Sequence, residues 1–150
     1  MNAVAVRPAT EMDIPALVAL EQGFPPEDRF PARTWRRLLR GQALAYVAGS
    51  PAAIAGAAVY LYRRGTRVAR LYSLSVAPAH RGRGLAGALL ARGEDDARLR
   101  GCTRIRLEVR QSNLPAIRLY ERHGFRVMAK IPSYYPDGET AARMEKPIHP

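Results

Sequence analysis

The apolar positions of this chain follow two periods, and each period predicts one kind of element. In residues 104–109, apolar and charged side chains alternate strictly, which is typical of a strand with one buried face. In residues 85–100, leucines and alanines instead recur at helical spacing. The chain therefore contains both strands and helices, in an order that the turn signals between them define.

Turn and capping residues divide the remaining chain into further elements. Asp13 and Asn113 each precede a first turn that contains proline, which indicates helix starts, and Gly124 ends the second of these helices. The predicted strands span residues 3–7, 43–48, 53–63, 67–76, 104–109, 125–131 and 142–146, and the predicted helices span residues 13–23, 33–40, 85–100 and 113–123. This order predicts an α/β (α+β) fold in which a mixed central sheet of about six to seven strands is flanked by about four helices.

Length and composition are those of one soluble globular domain covering residues 1–150, with 47% hydrophobic and 25% charged residues. Residues 42–62 carry no charge, but Gly49, Ser50 and Pro51 form a turn signal there, so a hairpin is predicted instead of a membrane span. The single cysteine, Cys102, and three scattered histidines predict no disulfide and no metal site, and they favour a reducing, cytoplasmic location.

The net charge of +11 is compatible with an acidic partner, because a basic surface attracts RNA, ribosomes and acidic peptides. The basic residues are almost all arginine and are spread along the whole chain. No aromatic-studded RNA-binding motif accompanies them. The pattern therefore favours a compositional origin of the charge over a nucleic-acid partner.

A glycine-rich turn connects the predicted strand 67–76 to the predicted helix 85–100. It reads Arg81, Gly82, Arg83, Gly84, Leu85 and Ala86. Glycine allows backbone angles and close approaches that a Cβ blocks, so several N–H groups can point at one spot, and the helix adds its positive end. The turn predicts a site for a phosphate-bearing ligand. The alternative is an ordinary strand-to-helix turn.

The turn matches neither common nucleotide-binding loop, but Arg81, Gly84 and Ala86 fit the pattern Arg-x-x-Gly-x-Gly/Ala. This pattern resembles the acyl-CoA pyrophosphate motif of the GNAT superfamily of N-acetyltransferases. The resemblance implies acetyl-CoA as co-substrate and no metal, with the pyrophosphate on residues 81–86. It also implies a splay between the fourth and fifth strands. The strand residues that would bind the pantetheine through their backbone are Leu74, Ser75 and Val76.

A second motif follows, with Asn113, Ala116, Tyr120 and Gly124-Phe125 in the spacing Asn-x-x-Ala-x-x-x-Tyr-x-x-x-Gly-Phe. It resembles the superfamily motif in which the Asn contacts the pantetheine arm and the Tyr reaches the sulfur. A phenol with a pKa near ~10 can protonate a thiolate whose conjugate acid has a pKa near ~8.5. The resemblance therefore makes Tyr120 the candidate acid. The alternative is that Tyr120 only packs and Asn113 only caps a helix.

Glu108 is the candidate base, because acyl transfer requires the acceptor amine to lose its proton. It ends the predicted fifth strand and would act through a water molecule. The segment Leu107-Glu108-Val109-Arg110 resembles bacterial enzymes that acetylate the N-terminal alanine of a ribosomal protein, in which this Glu is the base. The alternative is a surface carboxylate paired with Arg106 or Arg110.

Two segments are candidates for the walls of the acceptor site. Residues 133–138 resemble the segment of protein N-terminal acetyltransferases whose paired tyrosines line the substrate slot, which assigns substrate binding to Tyr134 and Tyr135. Residues 24–31, which begin with Phe24, would form the other wall, and their Pro-Pro-Glu-Asp-Arg sequence departs from the ribosomal-protein enzymes. The alternative for the tyrosines is packing within a β-hairpin.

Together the motifs imply an acetyl-CoA-dependent N-acetyltransferase, acting as a monomer or homodimer on a protein or peptide N-terminus. A small amine or polyamine is an alternative acceptor. The departure at residues 24–31 leaves the acceptor open. An alternative of another class is a non-catalytic basic module that binds RNA or a protein.

Overall fold

The predicted order of strands and helices is confirmed by the computed structural model, which describes residues 5–41 and 43–149. Residues 3 and 4 of the predicted first strand lie outside the described residues. The strands are β1 (Val6–Pro8), β2 (Ala43–Ser50), β3 (Ala53–Tyr62), β4 (Val68–Val76), β5 (Arg104–Arg110), β6 (Arg126–Ile131) and β7 (Ala141–Pro147). The helices are α1 (Ile14–Leu20), α2 (Ala32–Arg40), α3 (Leu85–Leu99) and α4 (Leu114–Arg122).

The strands form one mixed sheet in the order β1-β2-β3-β4-β5-β7-β6. Every neighbouring pair is antiparallel except β4 and β5, which are parallel and pair only from Val68 to Arg70. Just beyond Arg70, the register between β3 and β4 shifts so that Tyr72 has no partner. Such a bulge bends the strand that carries it. The two central strands therefore separate beyond Arg70 and leave an opening in the sheet.

Helices cover the sheet on both faces, and each face has its own buried cluster. α3 and α4 pack on the face that carries the apolar residues of β5, which the alternation of residues 104–109 predicts to be buried. α1 and α2 cover the opposite face of β2 and β3. Close contact between α3 and β3 depends on Gly93, because a Cβ there would come within 2.0 Å of the Tyr60 ring. The two buried clusters thus fix the positions of α1, α3 and α4 next to the opening in the sheet.

The first helix begins differently from the prediction. Asp13 does not cap α1 with its side chain, because that carboxylate is buried and already occupied. It accepts hydrogen bonds from the Thr10 N–H at 2.8 Å and from the Arg7 guanidinium at 2.8 and 2.9 Å. Thr10 instead starts a short 3₁₀ turn, Glu11–Asp13, that leads into α1.

The uncharged segment that begins at residue 42 folds as the β2–β3 hairpin from Ala43 onward, as predicted; Gln42 lies outside the described residues. Within residues 5–41 and 43–149, no helix combines the length and the apolar character needed to cross a membrane.

Candidate active site

A cavity of about 1210 Å³ opens where α1, β4, α3 and α4 meet. Most residues predicted to bind the acyl-CoA lie on its surface, together with the predicted acid and one predicted wall residue. They are Leu74, Ser75, Val76, Arg81, Gly82, Gly84, Leu85, Ala86, Asn113, Tyr120 and Phe24. Arg83 is exposed and does not line the cavity. The structure therefore brings two sequence motifs, 39 positions apart between Arg81 and Tyr120, to one place.

The glycine-rich turn adopts the backbone conformation that its sequence predicts. Gly82 and Gly84 have φ angles of 78° and 76°, in the left-handed region that favours glycine. Gly84 precedes α3, and the first N–H bonded back within the helix is that of Ala88, to the Gly84 carbonyl at 3.1 Å. The three preceding N–H groups have no helical acceptor. They lie at the cavity and provide the donors that a phosphate group requires.

Replacing Gly84 with alanine is expected to raise the Kd for acetyl-CoA about tenfold, because a left-handed alanine costs roughly 1–2 kcal/mol and the turn must shift to relieve it. Isothermal titration calorimetry measures this directly. Gly65→Ala is a matched control, since Gly65 has a φ of 80° in the distant β3–β4 turn and its Cβ would also meet no neighbour. Equal Kd values for the two variants would contradict a role of this turn in binding.

The strand edge beside the turn is also free to bind a ligand. Leu74, Ser75 and Val76 pair with β3 on one side only, because the pairing of β4 with β5 ends at Arg70. Among the strands that the structure describes, the backbone groups on the β5 side therefore have no partner. The Arg81 Nε donates to the Val76 carbonyl at 3.3 Å, which holds the start of the turn against the end of this strand. An extended chain can bind along this edge.

Tyr120 and Asn113 lie at opposite ends of α4. The half-buried Tyr120 packs edge to face against Phe125, with ring centroids 5.7 Å apart. Burial, and to a lesser extent the neighbouring Tyr135 phenol, raises the pKa of Tyr120 above its ordinary value. Tyr120 therefore remains a proton donor at neutral pH. The Asn113 side chain caps the helix, accepting from the Ala116 N–H at 3.3 Å, and also lines the cavity.

Glu108 lies on the β5 side of the opening and does not line the large cavity. Its side chain is 3% exposed and accepts hydrogen bonds from Arg70, from the Arg143 Nε at 3.0 Å and from the Tyr134 hydroxyl at 3.3 Å. The predicted alternative partners were Arg106 and Arg110, and this prediction is wrong.

The register of the sheet explains the difference. Arg143 stands directly opposite Glu108 on β7, and Arg70 lies where the pairing of β4 ends. Directly opposed side chains are closer than side chains two positions apart on one strand. Arg106 instead donates to Glu145 at 2.7 Å. Glu108 is therefore a buried carboxylate held by two cations from neighbouring strands.

Tyr134 and Tyr135 lie beside Glu108, between β6 and β7. Their rings are perpendicular, with centroids 5.0 Å apart, and the Tyr134 hydroxyl also accepts from Arg70 at 2.7 Å. Burial raises the pKa of Tyr135 to about 12. The predicted residues thus form two groups, one that lines the cavity and one around Glu108.

The sequence analysis did not single out Glu21, which is 1% exposed. One oxygen accepts from the Phe30 N–H at 2.7 Å, whereas the other oxygen and the Trp35 Nε1 are buried with no partner among the described residues. Burial raises the pKa of Glu21 to about 7. Its helical spacing could have indicated its burial, because Glu21 lies four positions after Leu17 and seven after Ile14, on the buried face of the first helical segment.

The raised pKa of Glu21 predicts that the free energy of unfolding falls as the pH increases from 4.5 to about 7. Below 4.5 the carboxyl is protonated in both states, whereas between the two values only the unfolded chain ionises readily. The free energy of unfolding falls by about 3 kcal/mol across this pH range. Urea unfolding across this range measures it, and Glu21→Gln should remove the slope. The carboxyl of Asp13, whose pKa is lowered, acts in the opposite direction and at lower pH. An unchanged slope in Glu21→Gln would contradict this prediction.

Comparison with known proteins identifies the family of the chain. The sequence profile of the acetyltransferase (GNAT) family matches residues 14–125. The chain is 36% identical over 155 aligned positions to the ribosomal protein bS18-alanine N-acetyltransferase of Escherichia coli, with 99% of each chain covered. It is 34% identical over 103 positions to streptothricin acetyltransferase of Streptomyces lavendulae, covering 66% of this chain and 54% of that enzyme.

The solved structures agree with the sequence matches. The crystal structure of the ribosomal-protein-S18-alanine N-acetyltransferase from Escherichia coli superimposes with a TM-score of 0.83 at 29% identity. The superposition covers 99% of this chain and 96% of that chain. The predicted family resemblance of the chain is thereby confirmed, and the chain belongs to the GNAT family of N-acetyltransferases.

Proposed function

We propose that the protein transfers an acetyl group from acetyl-CoA to the α-amine of a protein or peptide N-terminus, within a ternary complex. The observation that carries this proposal is the cavity on which the free edge of β4, the Gly82–Gly84 turn and Tyr120 converge. The strand edge suits the extended arm of one long ligand, and the N–H donors suit its phosphates. The phenol suits its sulfur.

Bound acetyl-CoA would supply the acetyl group as a thioester. The N–H groups at the start of α3 would bind the pyrophosphate, and the β4 backbone at Leu74, Ser75 and Val76 would bind the pantetheine arm. Asn113, at the start of α4, would contact the same arm. These contacts fix the position of the reacting carbon, and positioning alone contributes several kcal/mol to such reactions, on the order of 7–11 in the best intramolecular cases.

The chain's own groups would handle two protons. Glu108, through a water molecule, would accept the proton that the acceptor ammonium must lose before its nitrogen can form the new carbon–nitrogen bond. As the carbon–sulfur bond breaks, Tyr120 would donate a hydrogen bond to the departing thiolate. The raised pKa of Tyr120 makes complete proton transfer harder than in free tyrosine, so stabilisation by the hydrogen bond is its first contribution.

Two features support a protein or peptide acceptor. The relative that acts on a ribosomal protein aligns over 99% of both chains, whereas the streptothricin enzyme aligns over only 54% of its own length. Tyr134 and Tyr135 lie beside Glu108, where a substrate slot would lead to the base. A ribosomal-protein acceptor would also place the activity in the cytoplasm.

A small amine is the second candidate acceptor, because the streptothricin enzyme matches 66% of this chain. Thiol release from acetyl-CoA distinguishes the two candidates. The panel contains peptides that begin with Ala, Ser or Met, the same peptides with a blocked N-terminus, spermidine and free amino acids. We expect turnover on the free peptides only. Turnover on small amines alone would reject the peptide acceptor, and salt-sensitive RNA binding without thiol release would favour a non-catalytic module.

A further inference from the structure

We propose that Arg110 is a positioning residue that joins the two walls of the acceptor site and sets the width of the gap between them. This inference rests on the proposed function. The walls are the α1–α2 connection, residues 21–31, and the β6–β7 connection, residues 132–140. Arg110 is the last residue of β5, two positions after Glu108, and its side chain is only 12% exposed.

One guanidinium contacts both walls. Its Nε and Nη2 donate to the two oxygens of Asp28, at 3.0 and 3.1 Å, in the α1–α2 connection. Its Nη1 donates to Asp137 at 2.7 Å and to Glu139 at 3.0 Å in the β6–β7 connection. Hydrogen bonds between charged partners are among the strongest in proteins, and the paired contact with Asp28 also fixes the orientation of the side chain.

The charges explain why the walls need this contact. Asp28 and Glu27 belong to one wall, Asp137 and Glu139 belong to the other, and Arg110 is the cation that they share. Without it, two pairs of carboxylates would face each other and repel, which favours a wider gap. Glu139 has a second hydrogen-bond partner, since it also accepts from the Ser112 N–H at 3.0 Å. Within the described part of the chain, the side chain that donates to Asp28 is that of Arg110.

The same guanidinium is linked by contacts to the candidate base. It lies 4.2 Å from the centroid of the Tyr135 ring, Tyr135 packs against Tyr134, and the Tyr134 hydroxyl donates to Glu108. A shift of the β6–β7 connection would therefore move the tyrosines that are predicted to line the acceptor slot. Acceptor binding should depend on Arg110 more strongly than acetyl-CoA binding does, since Arg110 does not line the large cavity.

The test replaces Arg110 with methionine, which keeps most of the stem, and with lysine, which restores only the charge. Arg104→Met is the matched control, because Arg104 lies on the same strand face, is 50% exposed and contacts Glu145 instead of a wall. For Arg110→Met we expect the KM for a peptide acceptor to rise about tenfold or more, with the acetyl-CoA Kd within about twofold. Arg110→Lys should recover part of the loss, and Arg104→Met should resemble the wild type.

Hydrogen exchange tests the contact between Arg110 and the two walls without depending on catalysis. Arg110→Met should speed amide exchange in both walls, whereas Asp28→Asn should speed it mainly in residues 21–31. If Arg110→Met fails to fold, the exchange pattern of Asp28→Asn decides the question. Exchange and KM values equal to those of Arg104→Met would overturn the inference. Absence of turnover in the wild type would instead reject the proposed function, and the exchange experiment would still test the contact.

Discussion

Replacing Tyr120 with phenylalanine is expected to lower kcat by about 100-fold or more while changing the Kd for acetyl-CoA by less than about threefold. The substitution removes only the hydroxyl that would donate to the departing thiolate. The ring can still pack against Phe125, and the cavity keeps its shape. Steady-state kinetics with saturating acceptor, combined with calorimetric titration of acetyl-CoA, separates the two effects.

Tyr62→Phe is the control for this experiment, because Tyr62 is also a partly buried tyrosine but lies on β3 and does not line the cavity. It should change neither value appreciably. An equal loss of turnover and of acetyl-CoA affinity in Tyr120→Phe would reject the assignment of Tyr120 as the acid, since it would indicate that the hydroxyl supports binding instead of the chemical step.

Glu108→Gln is expected to lower kcat by about 100-fold at neutral pH, because the glutamine amide cannot accept the proton of the acceptor ammonium. The defect should shrink as the pH rises, since an α-amine with a pKa near ~8 then loses its proton to solvent without help. Rates measured from pH 6.5 to 9.5 with an N-terminal peptide test this dependence.

Glu145→Gln is the matched control, since Glu145 is a carboxylate on the adjacent strand that also contacts two arginines, Arg104 and Arg106. It should have little effect on kcat. Either substitution leaves two arginines without their carboxylate partner. Thermal unfolding of both variants therefore measures how much stability each substitution removes. If the two variants lose the same activity, or if the defect of Glu108→Gln is independent of pH, Glu108 is not the base.

Local sequence patterns predict the order of elements because each depends on near neighbours. The alternation in residues 104–109 identifies β5 and its buried face, which the structure confirms at Ile105, Leu107 and Val109. The glycines at 82 and 84 predict backbone angles that a Cβ disfavours in the turn before α3, and their positive φ angles confirm it. Local patterns alone do not predict that Arg81 and Tyr120 belong to one site, because their proximity depends on the packing of α3 and α4. Only the family resemblance predicts it.

Other parts of the site depend on contacts between distant segments, which local patterns do not contain. The separation of β4 from β5 follows from where their pairing stops and from a bulge at Tyr72, neither of which has a clear sequence signal. The alternative that pairs Glu108 with Arg106 or Arg110 is wrong for the same reason, because its partner Arg143 is 35 positions away. Arg110 reaches Asp28 across 82 positions, so its contact with both walls emerges only from the fold.

The central claim is acetyl transfer to an N-terminal α-amine, and tandem mass spectrometry of one reaction tests it most directly. The wild-type protein is incubated with acetyl-CoA and a peptide that begins with Ala and also contains a lysine. The account predicts a single added acetyl group on the α-nitrogen, dependent on the protein, and none on the same peptide with a blocked N-terminus. Acetylation of the lysine alone, or no acetylation of any peptide while small amines are acetylated, would contradict it.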